Sequence, residues 1–337
     1  MKSEYRWARL AAVAVLMVLL LPASPVQGQS SGPRGPAFED PAAPTQEMDQ
    51  VWRDRPVVYE AGHADADLVV TLNQQFFEFM TPYIEDYGRE HHLKIVVNKG
   101  TCGISSGFLA KKQVDIGAFC CPPTRSDRLP GLKFHTLGIH PISILVHPDN
   151  QVADLTLEQI RAIFQGDIHR WSEMGWKDQA IQVVTRLHCK NRPGHWRLLL
   201  DNSDLFSPEA RSVGAIEDMF SLVATTPNAI GWEVMWMTDA YRRDGKVKSL
   251  RIDGMDPKDT RNLLAGRYPL YRVLSITTWE DDKSGKPHAR RLAAYIAAQV
   301  EKYGLDQGIV PASQLRQAGW RFADDELIGE QPVIGDR

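Results

Sequence analysis

From Asp67 onward the chain alternates short, densely apolar runs with longer stretches in which apolar residues return every third or fourth position. ADLVVTL (66–72) follows the first pattern. NQQFFEFMTPYIEDYGREH follows the second, with Asn73 placed to cap it, and the two periods separate a strand from a helix. LKIVVNKG then predicts a second strand, SSGFLAKK a short helix and VDIGAF a third strand. Strands and helices in alternation predict a parallel α/β sheet.

The pattern continues with a long extended run, GIHPISILVHPDN. DLTLEQIRAIFQG follows as a helix, opened by Asp154 or Thr156 and stopped at Gly166. AIQVVTRLH reads as a strand, PGHWRLLLDN as a helix with Pro193 in its first turn, and PNAIGWEVMWM as a mixed element. SLRIDG and YRVLSITTW read as strands and HARRLAAYIAAQVEKYG as a terminal helix. There is no internal repeat.

The two ends break this pattern. Residues 1–28 carry a basic start, an apolar run of about a dozen residues and small residues at Val26 and Gly28 before the expected cut, the layout of a signal peptide. The run is shorter than the roughly 20 residues that span a bilayer, and no cysteine follows the expected cut, which argues against a lipoprotein. Residues 29–57, rich in Pro, Gly, Ser and Ala, read as a flexible linker. Residues 326–337 read as a C-terminal tail.

With 337 residues, 43% of them hydrophobic and 24% charged, the chain can build one large or two medium cores. Loss of residues 1–28 removes Lys2, Arg6, Arg9 and Glu4 and takes the formal charge from −3 to −5. No basic tract points to nucleic acid. Export to the periplasm or the medium would place the four cysteines where disulfides persist.

Residues 144–186, ILVHPDNQVADLTLEQIRAIFQGDIHRWSEMGWKDQAIQVVTR, resemble the phosphate-binding proteins of bacterial ABC transporters. The order is the same: a strand ending near Asn-Pro, a Leu-Thr-x-Glu-Gln helix, Ile-Phe-x-Gly, a Trp-Ser-Glu turn and a strand ending in Arg. VDIG (114–117), NKGTCGISSG (98–107) and NAIGW (228–232) are similar to further family segments, so the resemblance covers about 67–320. It implies an α/β, two-lobed periplasmic-binding-protein-like fold of type 2, with a ligand cleft between the lobes and two crossing strands, about 141–147 and 270–277, as hinge. Lobe one would comprise 58–146 and 270–325, and lobe two 147–269. The resemblance further implies a monomer that binds a small anionic or polar ligand without cofactor or turnover, partnered by an ABC transporter permease or a membrane sensor.

Open α/β sheets bind ligands beyond the carboxyl ends of their strands, which selects the loops 72–75, 100–106, 119–128 and 186–195. All four cysteines fall in them. For an oxyanion, Asn73, Gln74, Thr101, Ser105, Arg186 and Arg192 offer amides, hydroxyls and guanidiniums. Cys102, Cys120, Cys121, His188, Cys189 and His195 complete the candidate ligand set, and they depart from the family, which has Ser-Arg after VDIG and Arg followed by Ser-Gly-Thr in lobe two. Adjacent cysteines lie about 3.8 Å apart at Cα, too close for an ordinary disulfide at roughly 4.4–6.8 Å. A bond from Cys102 to Cys120 or Cys121 is therefore one expectation. A second is a soft-metal site from Cys120, Cys121, His188, Cys189 and His195, although neighbours such as His188 and Cys189 point apart on an extended chain. A third is a nucleophilic cysteine activated by a histidine. Asp115 is assigned to ligand amides or to strand-end capping, Trp171 and Trp176 to packing, and RRDGK (242–246) to a solvated turn.

Overall fold

Leu68–Asn73 forms strand β1 and is buried at all six positions, as a contiguous Val/Leu/Thr run predicts for a strand covered on both faces. β2 (Ile95–Gly100) and β3 (Ile116–Phe119) flank it in parallel. The helices Gln74–His91 and Cys102–Ala110 make the crossovers between them. Gly117 of β3 sets how closely the second helix sits, since a Cβ there would lie 2.6 Å from Leu109 Cδ1.

This computed structural model describes residues 38, 46–190, 192–234 and 245–331. The expected export signal and most of RRDGK lie outside the described residues. No helix among the described residues is long and apolar enough to cross a membrane.

Further along come β4 (Leu132–Val146), β5 (Asp154–Leu155), β6 (Gln182–Thr185), β7 (Arg211–Ser212), β8 (Ala229–Val234), β9 (Lys248–Ser249), β10 (Arg251–Ile252), β11 (Tyr271–Trp279) and β12 (Val310–Pro311). The main sheet runs in the order β2-β1-β3-β11-β4-β8-β6-β7, with β9 and β12 also paired to β4. β6 and β8 are parallel, while β11 is antiparallel to both β3 and β4.

The apolar residues divide into two cores along this sheet. One gathers β1, β3 and the helices Gln74–His91 and Pro287–Tyr303; the other gathers β6, β8 and the helices Leu157–Gln165 and Ile216–Thr225. β4 and β11 thread both: Phe134 and Leu137 belong to the first core and Ile139 to Val146 to the second, while β11 passes from Val273 to Leu274 with a register shift just beyond, between Leu274 and Ser275. These are the two crossing strands, and the first begins at Leu132, ahead of the expected 141.

Local signals placed the helices well. Thr156 caps Leu157–Gln165 with Gln159 in a capping box, and Gly166 ends it in the left-handed region at φ 92°. Three segments differ from expectation. Gln50–Asp54, inside the expected linker, is a capped helix whose Trp52 is buried and donates its indole N–H to Ala110 O at 2.6 Å. One aromatic and one Asp49 cap order it, and neither leaves a periodic pattern. PGHWRLLLDN contains only a 3₁₀ turn, His195–Leu198, because Gly194 at φ 72° breaks the run. The expected tail instead begins as a strand, β14 (Glu326–Gly329), paired with β13 (Arg321–Ala323) and tied down by the buried Arg128–Glu326 ion pair at 2.6 Å.

Candidate functional site

The carboxyl ends of β1, β2, β3 and β6 meet between the two cores. β1 delivers Asn73, Gln74 and Gln75; β2 delivers Thr101 and Cys102; β3 delivers Cys120 and Cys121; β6 delivers Arg186, His188 and Cys189. Arg186 Nη1 donates to Gln74 Oε1 at 3.1 Å, joining residues 112 positions apart across the gap.

Glu233 of β8 is the ionic centre. It is fully buried, and Arg186 Nη2 and Arg272 Nη2 reach its two oxygens at 2.5 and 3.0 Å. Gln75, with its amide oxygen turned to the arginines, accepts from Arg186 at 2.7 Å and Arg272 at 3.2 Å. Burial alone would push the Glu233 carboxyl up, but the two guanidiniums overcome it and hold it at about 2.

A second pair closes the other side. Arg192, from the loop after β6, reaches Asp127, which also accepts from Thr124 N at 2.8 Å and from Ser106 Oγ at 2.7 Å. The guanidinium lies over the Phe119 ring at 5.4 Å and is nearly buried. Among the described residues around this gap, three buried guanidiniums (Arg186, Arg192, Arg272) thus meet two carboxylates (Glu233, Asp127). One positive charge is in excess.

The four cysteines lie against that excess. All are free thiols. Cys102 Sγ is 3.2 Å from Cys120 Sγ, and the Sγ atoms of Cys102, Cys121 and Cys189 lie within 4.8 Å of one another. Arg272 Nη1 donates to Cys120 Sγ at 3.6 Å and the Cys120 backbone N–H to Cys102 Sγ at 3.1 Å. The hydrogen bond from Cys102 pulls the Cys120 thiol well below its ordinary value, while burial pushes Cys102 up. Burial and the nearby Arg186 lower His188, which stays neutral.

The residues 57–300 match the family model of the PBP superfamily domain. The chain belongs to the PBP superfamily. It is 27% identical over 185 residues to the phosphate-binding protein PstS of Bacillus subtilis (strain 168), covering 54% of this chain and 58% of that one. It is 21% identical over 191 residues to PstS of Pseudomonas aeruginosa (strain PAO1), again 58% of that protein. The chain thus spans less than two thirds of these curated relatives. Its fold is similar to an ABC-type phosphate transport receptor from Vibrio cholerae (TM-score 0.58, 23% identity, 72% of this chain and 99% of that one). It is also similar to a putative phosphate ABC transporter substrate-binding protein with bound phosphate from Clostridium perfringens (TM-score 0.63, 20% identity, 73% and 99%). These are type 2 folds.

On this PBP frame most of the sequence candidates converge, with changed partners. Asn73 is buried at the helix start, but its side chain makes no capping bond; Thr101 does cap, accepting from Ile104 N at 3.4 Å. Ser105 turns to Ala118 O at 2.9 Å. The expected Cys102 disulfide is absent, because the sulfurs meet as thiols at hydrogen-bond separation. His188 and Cys189 do not diverge as neighbours on an extended chain would: Cys189 adopts φ 57°, and that left-handed turn lets both lie against Cys120. The His195 side chain lies outside the described residues. Asp115 precedes β3, at the opposite end of the strand from the cysteines, where it accepts from Val69 N at 2.8 Å and from the Tyr59 hydroxyl. Trp171 and Trp176 pack edge to face at 5.9 Å.

Gln75, Asp127, Glu233 and Arg272 were missed. Arg272 and Glu233 had a signal: each is the lone charge in its strand, and each strand is buried at every position.

Proposed function

We propose that this PBP-superfamily chain is an exported solute-binding protein that captures a small anionic or polar solute between its lobes. It presents that solute, unaltered, to an ABC transporter permease or a membrane sensor, acting as a monomer in the periplasm or outside the cell. The observation that carries the reading is the excess of buried guanidinium charge at the meeting of the strand ends. Arg186 and Arg192 reach from the second lobe onto Gln74 and Asp127 of the first, so charge arriving there is felt by both lobes. The lobe boundaries 58–146 with 270–325, against 147–269, fall at the end of β4 and the start of β11, the two strands that contribute to both cores. A solute that contacts both sides then favours closure by its differential affinity for the closed state.

Titration calorimetry with phosphate and sulfate on the mature chain tests this reading. Arg186→Ala or Arg192→Ala is expected to weaken the bound anion at least about tenfold, roughly 1.4 kcal/mol or more. Unchanged affinity in both variants would remove the anion from the reading. The cysteine cluster favours a second kind of solute.

A further inference from the structure

We propose that Cys102 and Cys121 of the first lobe and Cys189 of the second bind one soft, thiophilic metal ion across the cleft, with Cys120 within reach as a fourth sulfur. This rests on the reading of capture between lobes and names a solute for that same site.

The chain has four cysteines, and all four meet at one point from three separate strand ends. Cys102, Cys120 and Cys121 are fully buried. Three sulfurs bound to one ion at ~2.3 Å stand roughly 3.8–4.0 Å apart. The Sγ atoms of Cys102, Cys121 and Cys189 already lie within 4.8 Å of one another, so small side-chain rotations complete the set. A structural disulfide would need only two of these thiols and no contribution from the opposite lobe.

Ligand chemistry selects the ion. Hard cations take oxygen donors, and the two carboxylates at hand, Glu233 and Asp127, are already committed to arginines. The donors that remain are thiols, with the His188 imidazole beside Cys120, which suits a thiolate-preferring ion. Each thiol gives its proton to solvent as its sulfur takes the ion, so neither oxidant nor reductant is required. The thiolates would in turn meet the surplus guanidinium, with Arg272 already at 3.6 Å from Cys120 Sγ. The left-handed backbone at Cys189 is uncommon for a residue with a side chain, and here it turns the second lobe's only cysteine onto the other three.

The test is a titration of the reduced mature chain, kept anaerobic, with cadmium(II) alone. It is followed by the thiolate-to-metal charge-transfer absorbance, native mass and small-angle scattering. The expected result is one ion per chain, a more compact particle, no response to magnesium(II), and a loss of more than ~100-fold in affinity for Cys102→Ser and for Cys189→Ser. Cys189 is only partly buried on a loop, so Cys189→Ala serves as a folded second variant. No band and no added mass with four titratable thiols would overturn the ion site, whatever anions do. Binding undiminished in both Cys189 variants would overturn the cross-cleft arrangement. Failure of the capture reading shows differently, as full cadmium binding with no change in particle size, which keeps the ion site and removes closure as its means.

Discussion

Asp115 and Glu233 are equally buried, 1% and 0% exposed, yet their acidities move in opposite directions. Burial raises the Asp115 carboxyl, and the Tyr59 hydroxyl, Val69 N–H and Lys286 do not reverse it. Lys286 stands 3.3 Å away with its side chain 37% exposed, so solvent weakens its charge. Glu233 has the same penalty but two cations buried with it, and falls to about 2. Burial sets the sign unless the counter-charge is buried too. One guanidinium would neutralise Glu233; the fold supplies two, and a third at Arg192. The far end of β3 carries a carboxylate in need of charge, while the cleft holds charge in need of an anion.

The largest break in this comparison comes from Glu233→Gln. The change keeps shape and an acceptor but leaves Arg186 and Arg272 buried without a counter-charge, which is expected to cost about 3–5 kcal/mol in urea denaturation. A loss under about 1 kcal/mol would mean that the guanidiniums are solvated, and the contrast with Asp115 would fall.

Acid sharpens the same contrast. The folded pKa of Glu233, about 2, lies below its ordinary 4.5, so its ionised form stabilises the fold. That contribution is complete above pH 4.5 and is lost as pH falls towards 2, amounting to about 3 kcal/mol. The stability gap between wild type and Glu233→Gln should therefore narrow across this window. A constant gap would show that Glu233 titrates normally.

What could be read along the chain was local. Thr156, Gln159 and Gly166 announce one helix because caps act within a turn, and YRVLSITTW is a strand from Tyr271 to Trp279 because β-branched and aromatic residues dominate it. The strand ends were legible too, so the loops with the cysteines, Arg186 and Arg192 were found. The partners were not, since pairing across 39 to 198 residues leaves no periodic trace: Glu233 with Arg272, and Arg128 with Glu326. The left-handed turn at Cys189 was equally hidden, because no glycine marks it; its carbonyl accepts from Arg192 N at 3.0 Å, and the Trp196 indole donates to His188 O at 2.7 Å.

The smallest effect is expected at the other end of the comparison, from Asp115→Asn. The folded pKa of Asp115 lies above its ordinary 3.8, so its neutral form is the favoured one, and the ionised form costs stability as pH rises from 3.8 through the raised value. Asparagine is neutral at every pH and keeps an oxygen for Val69 N–H, at 2.8 Å, and for the Tyr59 hydroxyl. It gives up the pair with Lys286, which as a part-exposed contact is worth less than about 1 kcal/mol. It also removes a desolvated charge. These terms oppose each other, so the variant should lie within about 1 kcal/mol of wild type at neutral pH and gain on it between pH 4 and 7. Urea midpoints at the two pH values decide the matter. A loss of 3 kcal/mol or more would make Asp115 as dependent on its charge as Glu233, and the surplus of cations would no longer distinguish the cleft from the rest of the sheet.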